Sequence, residues 1–340
     1  MSEVGRAGPA LGRRRWLAGV AALALPGWPM APASGATGAP AFPTRPITLW
    51  VPWAPGGATD LLLRLLAELA TPVLGQPVVV ANRGGAGGTL AMPVLQQAEA
   101  NGYTIAQLPQ PVFRAPFTQP VTWDPVRDVT PILQLSGVTF GVLAPEGGPL
   151  RELRDLFEFA RARPGELSIA TNGVGTTPHL ALESLFTDRG LRYIHVPYKG
   201  TAELTLAVES GQVMAGVSSS GFAPEVDAGR LRLLATLGAQ RTARWPRVPT
   251  LRESGFDIVA MSPYGLVGPR GMPGAVVAVL HEAFRQALFH PRFVESLARY
   301  DQEVAYLGPE AYARAGREEY AREREAANRP GWARDAGAAR

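Results

Sequence analysis

The sequence predicts an α/β protein made of two similar lobes, joined by two crossing strands and enclosing a cleft. Three observations predict it. A strand, a glycine-rich turn, a helix and a second strand follow one another from Pro46. The same order returns in the second half from residue 167. Two further segments, residues 140–145 and 261–269, read as extended and are flanked by glycine and proline, where a chain that builds one lobe, then the other, and then returns would cross. Short apolar runs alternating with helical patterns are the signature of parallel βαβ units.

The chain opens with G-R-R-R-W-L at residues 12–17, an apolar stretch over 18–25, a Pro/Gly break and Ala31-Pro32-Ala33. A basic start, a short apolar core and a small-residue cleavage site define a signal peptide. Residues 1–33 are expected to be removed, leaving a mature protein that starts between Ser34 and Phe42 in the periplasm. Arg13-Arg14 followed by Trp16-Leu17 is close to the twin-arginine pattern, with Gly12 where Ser or Thr is usual, so twin-arginine export is expected. The apolar core is far shorter than the ~20 residues that span a bilayer, which argues against an anchor.

The elements of the mature chain follow in order. I-T-L-W-V-P-W is a strand, A-P-G-G-A-T-D a turn, L-L-L-R-L-L-A-E-L-A an apolar-periodic helix and Q-P-V-V-V-A-N the next strand. In the second half, 167–171 is a strand, 172–178 a small-residue turn, 179–189 a helix and 193–197 a strand. Taking 140–145 and 261–269 as the crossings puts lobe one at residues 44–143 plus 263–328 and lobe two at 144–262. The chain ends in an Arg/Glu-rich helix over 311–326, in which Glu318 and Arg322 stand at i,i+4 on what reads as a solvated face.

Composition removes several function classes. The chain has no cysteine, which excludes disulfides, thiolate metal sites and cysteine nucleophiles. The formal charge of +4 invites a nucleic-acid reading. Arg6, Arg13, Arg14 and Arg15 against Glu3 put +3 of it in the leader, however, leaving +1 for the mature protein and no basic footprint. No two histidines, and no histidine with carboxylates, fall at metal-ligand spacing. No serine sits in a G-x-S-x-G elbow.

Two loops carry the candidate site. Trp53-Ala54-Pro55-Gly56-Gly57-Ala58-Thr59-Asp60 links a strand to a helix, whose first amides are unpaired and whose dipole is positive at that end, so an anion is favoured there. Gly56 and Gly57 let a ligand approach the backbone, Thr59 offers a hydroxyl and Asp60 can cap the helix. An ordinary capped turn reads equally well. The second loop, residues 171–179, repeats the design with Asn172, Gly175, Thr176, Thr177 and His179. Neither is a nucleotide loop: the first lacks a lysine, and proline stands where a dinucleotide fingerprint needs its third glycine. Ser218 and Ser219, read as ending a strand over 213–217, offer hydroxyls where ligands sit in open α/β sheets. Arg83, in the glycine-rich stretch 82–89, reads as a carboxylate partner or as a solvated turn residue.

The runs T-R-P-I-T-L-W-V-P-W-A-P-G-G-A-T-D, G-Q-P-V-V-V-A-N-R-G-G-A-G-G, N-G-Y-T-I, V-G-T-T-P-H-L, V-P-Y-K-G-T-A-E-L and E-S-G-Q-V resemble, in order and spacing, the tripartite tricarboxylate transporter receptor (Bug) family. The resemblance implies a type II periplasmic-binding-protein fold. It also implies a monomeric receptor that closes on a small organic acid and delivers it to membrane permease subunits, with no cofactor, metal, nucleic acid or catalysis. An enzyme or a sensory receptor on the same scaffold is the alternative. The expected ligand-binding set is Trp53, Pro55, Gly56, Gly57, Thr59, Asp60, Gln107, Asn172, Gly175, Thr176, Thr177, His179, Ser218 and Ser219.

Overall fold

The computed structural model describes residues 42–187 and 189–328. The expected signal peptide lies outside them. Strand β1 (Ile47–Val51) buries Ile47, Leu49 and Val51 fully, while Thr48 and Trp50 are half-buried, the period-two pattern of a strand. Helix α1 (Ala58–Leu74) turns Leu62, Leu63, Leu66, Ala67, Ala70 and Leu74 inward as one stripe. It stops at Gly75, whose φ of +66° lets its N–H close on the Thr71 carbonyl. Strand β2 (Val78–Asn82), helix α2 (Ala91–Gln97), strand β3 (Thr104–Leu108), helix α3 (Pro111–Thr118) and strand β4 (Val129–Val138) complete the first pass. β1 pairs in parallel with β2 on one side and β3 on the other.

The second lobe repeats the plan. It comprises β5 (Phe140–Pro145), α4 (Leu153–Ala162), β6 (Ser168–Thr171), α5 (Thr177–Thr187), β7 (Ile194–Pro197), α6 (Thr201–Glu209), β8 (Ala215–Ser219), α7 (Ala223–Asp227) and β9 (Leu231–Thr236). Its sheet runs β7-β6-β8-β5-β9, with β6 parallel to β7 and β8, and β5 antiparallel to β8 and β9. The chain then returns through β10 (Ser262–Pro269), α8 (Gly274–Leu288), α9 (Pro291–Ala298), β11 (Val304–Leu307) and α10 (Pro309–Ala327). The first sheet is thereby completed in the order β11-β4-β10-β3-β1-β2.

Each sheet has its own core. Ile47, Leu49, Leu66, Ile105, Leu133 and Phe284 fill the first, and Val142, Leu156, Ile169, Phe186 and Val217 fill the second. Val138, at the crossing, packs against both. The crossings differ from the expected division. Phe140, Gly141, Val142 and Leu143 pair with Ser219, Ser218, Val217 and Gly216, so the first crossing is Thr139, not the 143/144 junction. The apolar run from Phe140 is committed to the second core, which draws it into that sheet. On the return, the Ala260 N–H still bonds to the Leu237 carbonyl, whereas Ser262 already pairs with Val138. The crossing therefore falls at Met261, one position earlier than expected.

The terminal helix exposes Glu318 and Arg322 as expected, but it also has a buried acidic face. Glu319 and Glu323 are buried and point at α3, where Glu323 accepts from Nε and one terminal nitrogen of the buried Arg114 guanidinium, at 2.9 and 2.6 Å. The charge-rich sequence of α10 hid an inward acidic face matched to one arginine.

Candidate functional site

A cleft lies between the lobes. Its floor is the crossing, with Val138, Phe140, Ser262 and Tyr264. The walls are the loops that follow β1, β3, β6 and β7. Four helices, α1, α3, α5 and α6, begin at this cleft; α1, α5 and α6 each follow a small-residue turn at a strand's carboxyl end. The starts of α1 and α6 face each other. A Cβ placed on Gly57, which caps α1, would lie 3.8 Å from the Thr201 amide nitrogen and 4.0 Å from that of Ala202. The first backbone bonds are Leu61 N–H to Gly57 C=O in α1 and Leu204 N–H to Gly200 C=O in α6. The amides of 58–60 and 201–203 are thus left without helical partners, and two positive dipole ends meet in one place.

Side chains around this point are fixed by one another. Asn172 accepts the Ser218 hydroxyl and the Ser219 N–H on its oxygen, at 3.2 and 3.3 Å, and donates from its nitrogen to Thr201 at 3.1 Å. The Thr201 and Ser219 hydroxyls share a bond of 2.8 Å. With Asn172 already donating to Thr201, whichever hydroxyl donates in that bond, the other keeps a proton for the cleft. On the opposite wall the Trp53 indole N–H donates to the Gln107 side-chain oxygen at 3.0 Å, which fixes the amide orientation and leaves the Gln107 nitrogen as a donor.

Asp60 is the one charged residue among the described residues lining the cleft. Its carboxylate is fully engaged, by the Gly56 N–H at 2.9 Å, Arg64 at 3.1 Å and Asn82 at 2.8 Å. Burial pushes its pKa up, but Arg64, the Gly56 amide and Asn82 outweigh burial and hold it below the usual carboxylate range. Asp60 therefore fixes the α1 turn as an anion with no lone pair to spare.

The lobes also touch each other directly. The Ala54 N–H donates to the Lys199 carbonyl at 3.2 Å, Arg114 to the Gly175 carbonyl at 3.0 Å, and the Thr177 hydroxyl to the Gln110 side-chain oxygen at 2.6 Å. These contacts define a closed arrangement.

The chain matches the model of the tripartite tricarboxylate transporter family receptor over residues 62–330. The chain belongs to this receptor family. A UPF0065 protein of Cupriavidus necator is 41% identical over 278 residues, 82% of this chain and 85% of that protein. Among solved structures, the periplasmic binding protein BugD superposes with a TM-score of 0.78 at 28% identity, covering 84% of this chain and 97% of the other. MatC from Rhodopseudomonas palustris, solved with bound malate, superposes equally at 27% identity, covering 84% and 99%.

In this receptor the structure brings nine expected residues to the cleft: Trp53, Gly57, Thr59, Asp60, Gln107, Asn172, Thr176, Thr177 and Ser219. Five lie off it. Pro55 and Gly56 are exposed on the outer side of the turn, where Gly56 adopts φ +85° and donates to Asp60. Gly175 gives its carbonyl to Arg114 and its N–H to His179. Ser218 is fully buried behind Asn172, because β8 runs on to Ser219 and does not stop at 217. His179 is buried and stacked on His195, with ring centres 4.2 Å apart. Arg83 is exposed and does not line the cleft. The sequence reading missed Thr201, Phe140 and Tyr264. K-G-T-A after the 193–197 strand repeats the strand, glycine turn and helix grammar of the other two loops and could have flagged Thr201. Nothing local flags Tyr264, which reaches the cleft only because the return strand passes beneath it.

The histidine pair supports the second loop from behind. Burial lowers the His179 pKa, against Glu183 and with Arg114, and burial together with His179 pushes His195 down to about 4. Between a histidine's usual ~6.5 and that value, the unfolded chain binds protons that the folded pair refuses. Stability is therefore complete above pH ~6.5 and is expected to fall as the pH drops towards 4. Melting curves across that window should show the loss, and His195→Asn should flatten it in part; an unchanged slope in the variant would exclude His195 as a source.

Proposed function

We propose that the protein is a periplasmic receptor that captures a small organic acid between its lobes and, as a monomer, presents it to the permease subunits of a tripartite tricarboxylate-type transporter. It binds its ligand and does not transform it. The leader directs export, through the twin-arginine route.

The observation that carries this reading is the opposition of the α1 and α6 amino termini at Gly57 and Thr201. Two like partial charges facing each other within a closed site repel when the site is empty. A carboxylate between them satisfies both sets of amides at once, and hydrogen bonds to a charged acceptor contribute about 1.5–3 kcal/mol each. An anion therefore favours the closed arrangement over the open one, which is the differential binding that capture requires. Malate in the MatC relative is a ligand of this kind.

Thermal-shift screening of the protein from Phe42 against mono-, di- and tricarboxylates, aromatic acids, amino acids and neutral amides tests the assignment. A ligand at 100 times its dissociation constant adds roughly 2.7 kcal/mol of stability. Stabilisation by an acid and not by its amide is expected. Hits confined to neutral compounds would remove the anion site from the reading.

A further inference from the structure

Two walls of the cleft carry polar groups that present protons, and at Gln107 the donor is fixed by its neighbour. Gln107 is only 2% exposed, lines the cleft, and has its oxygen taken by Trp53. Its amide nitrogen has no partner among the described residues. The Thr201 and Ser219 hydroxyls share one hydrogen bond and so retain one proton between them, while Asn172 takes up an acceptor site on Thr201. The single carboxylate at the site, that of Asp60, is saturated by Arg64, Asn82 and the Gly56 amide. An ammonium group entering this cleft would meet two positive helix ends and no free carboxylate. A desolvated cation without a partner is strongly disfavoured.

We propose that Gln107 is a specificity-determining residue, and that the cleft selects organic acids without an ammonium group and rejects amino acids. The inference deepens the receptor reading and rests on it. Gln107 acts by presenting a donor that Trp53 holds in place. A glutamate at the same position would still accept the indole N–H and would present a carboxylate to the ligand instead.

Calorimetry with matched pairs tests this: 3-phenylpropionate against phenylalanine, adipate against 2-aminoadipate, and malate against aspartate, with wild type and Gln107→Glu. In the wild type, the acid of any pair that binds is expected to bind at least tenfold more tightly than its amino partner. In Gln107→Glu, melting like the wild type, that ratio is expected to move at least tenfold towards the amino partner. An amino acid binding as tightly as its deaminated partner overturns the proposal, even if the variant fails to fold. So does an unchanged ratio in a folded variant. Binding by none of the six compounds, with a neutral amide binding instead, overturns the carboxylate reading and the inference with it, and is distinguishable from loss of selectivity alone.

Discussion

Arg114→Met is expected to cost about 3–5 kcal/mol of stability, the penalty for leaving a buried carboxylate without its cation. Arg114 and Glu323 are both 5% exposed, and Glu319 is 8% exposed beside them. Gln110 bridges the two acids, donating to Glu319 at 2.6 Å and to Glu323 at 3.2 Å. Arg322 pairs with Glu319 from the solvent side. The exposed arginine cannot replace the buried one, since most of its charge is screened by water. Arg114→Met combined with Glu323→Met should recover most of the loss, because an apolar pair of similar volume removes the desolvation problem. Denaturant melts of the two variants check both halves, and wild-type stability in the single variant would contradict them. Arg114 also reaches across the lobes to the Gly175 carbonyl. Its loss should therefore weaken every ligand by a similar factor, in contrast to the ligand-dependent change expected at Gln107.

The second large effect is expected from Gly200→Leu, which should lower ligand affinity at least tenfold while leaving the ligand-free melting temperature within a few degrees of wild type. Gly200 has φ −171° and ψ 167°, an extended conformation open to any residue, so the substitution carries no backbone strain. A Cβ there would lie 3.1 Å from the Cβ of Ala54 and 3.5 Å from its nitrogen, on the opposite lobe. The larger side chain acts as a wedge against the Ala54 to Lys199 contact. Only the closed state meets it. Gly57→Ala is the milder control, since its added Cβ finds ordinary contact distances. Calorimetry with any acid that binds the wild type decides the matter, and unchanged affinity in Gly200→Leu would mean that closure at this rim does not contribute to capture.

Much of this architecture was legible because local and global signals agree. The alternation of Ile47, Leu49 and Val51, the apolar stripe of α1 and the glycine turns each specify one element, and together they specify two βαβ units. The loops that begin α1 and α5 were legible for the same reason. What was not legible depends on sequence-distant contacts. The inward orientation of Glu319 and Glu323 follows from Arg114, about two hundred residues away. Tyr264 joins the cleft through the antiparallel registry of β10 with β3 and β4. Gly175 and His179 share a loop with Asn172 and Thr177, but the turn directs them away from the cleft, and no spacing rule reports the direction of a loop side chain.

The path of the chain through its two sheets also fixes an order of assembly. β4 lies between β10 and β11, both of which come after residue 261, so β4 lacks both neighbours until the last quarter of the polypeptide has been made. The second sheet draws all its strands from one uninterrupted stretch, 140–236, and is complete much earlier. On a growing chain the later lobe in sequence is therefore the first able to complete its sheet, and β4, although made earlier, must wait unpaired for the carboxyl-terminal strands to arrive.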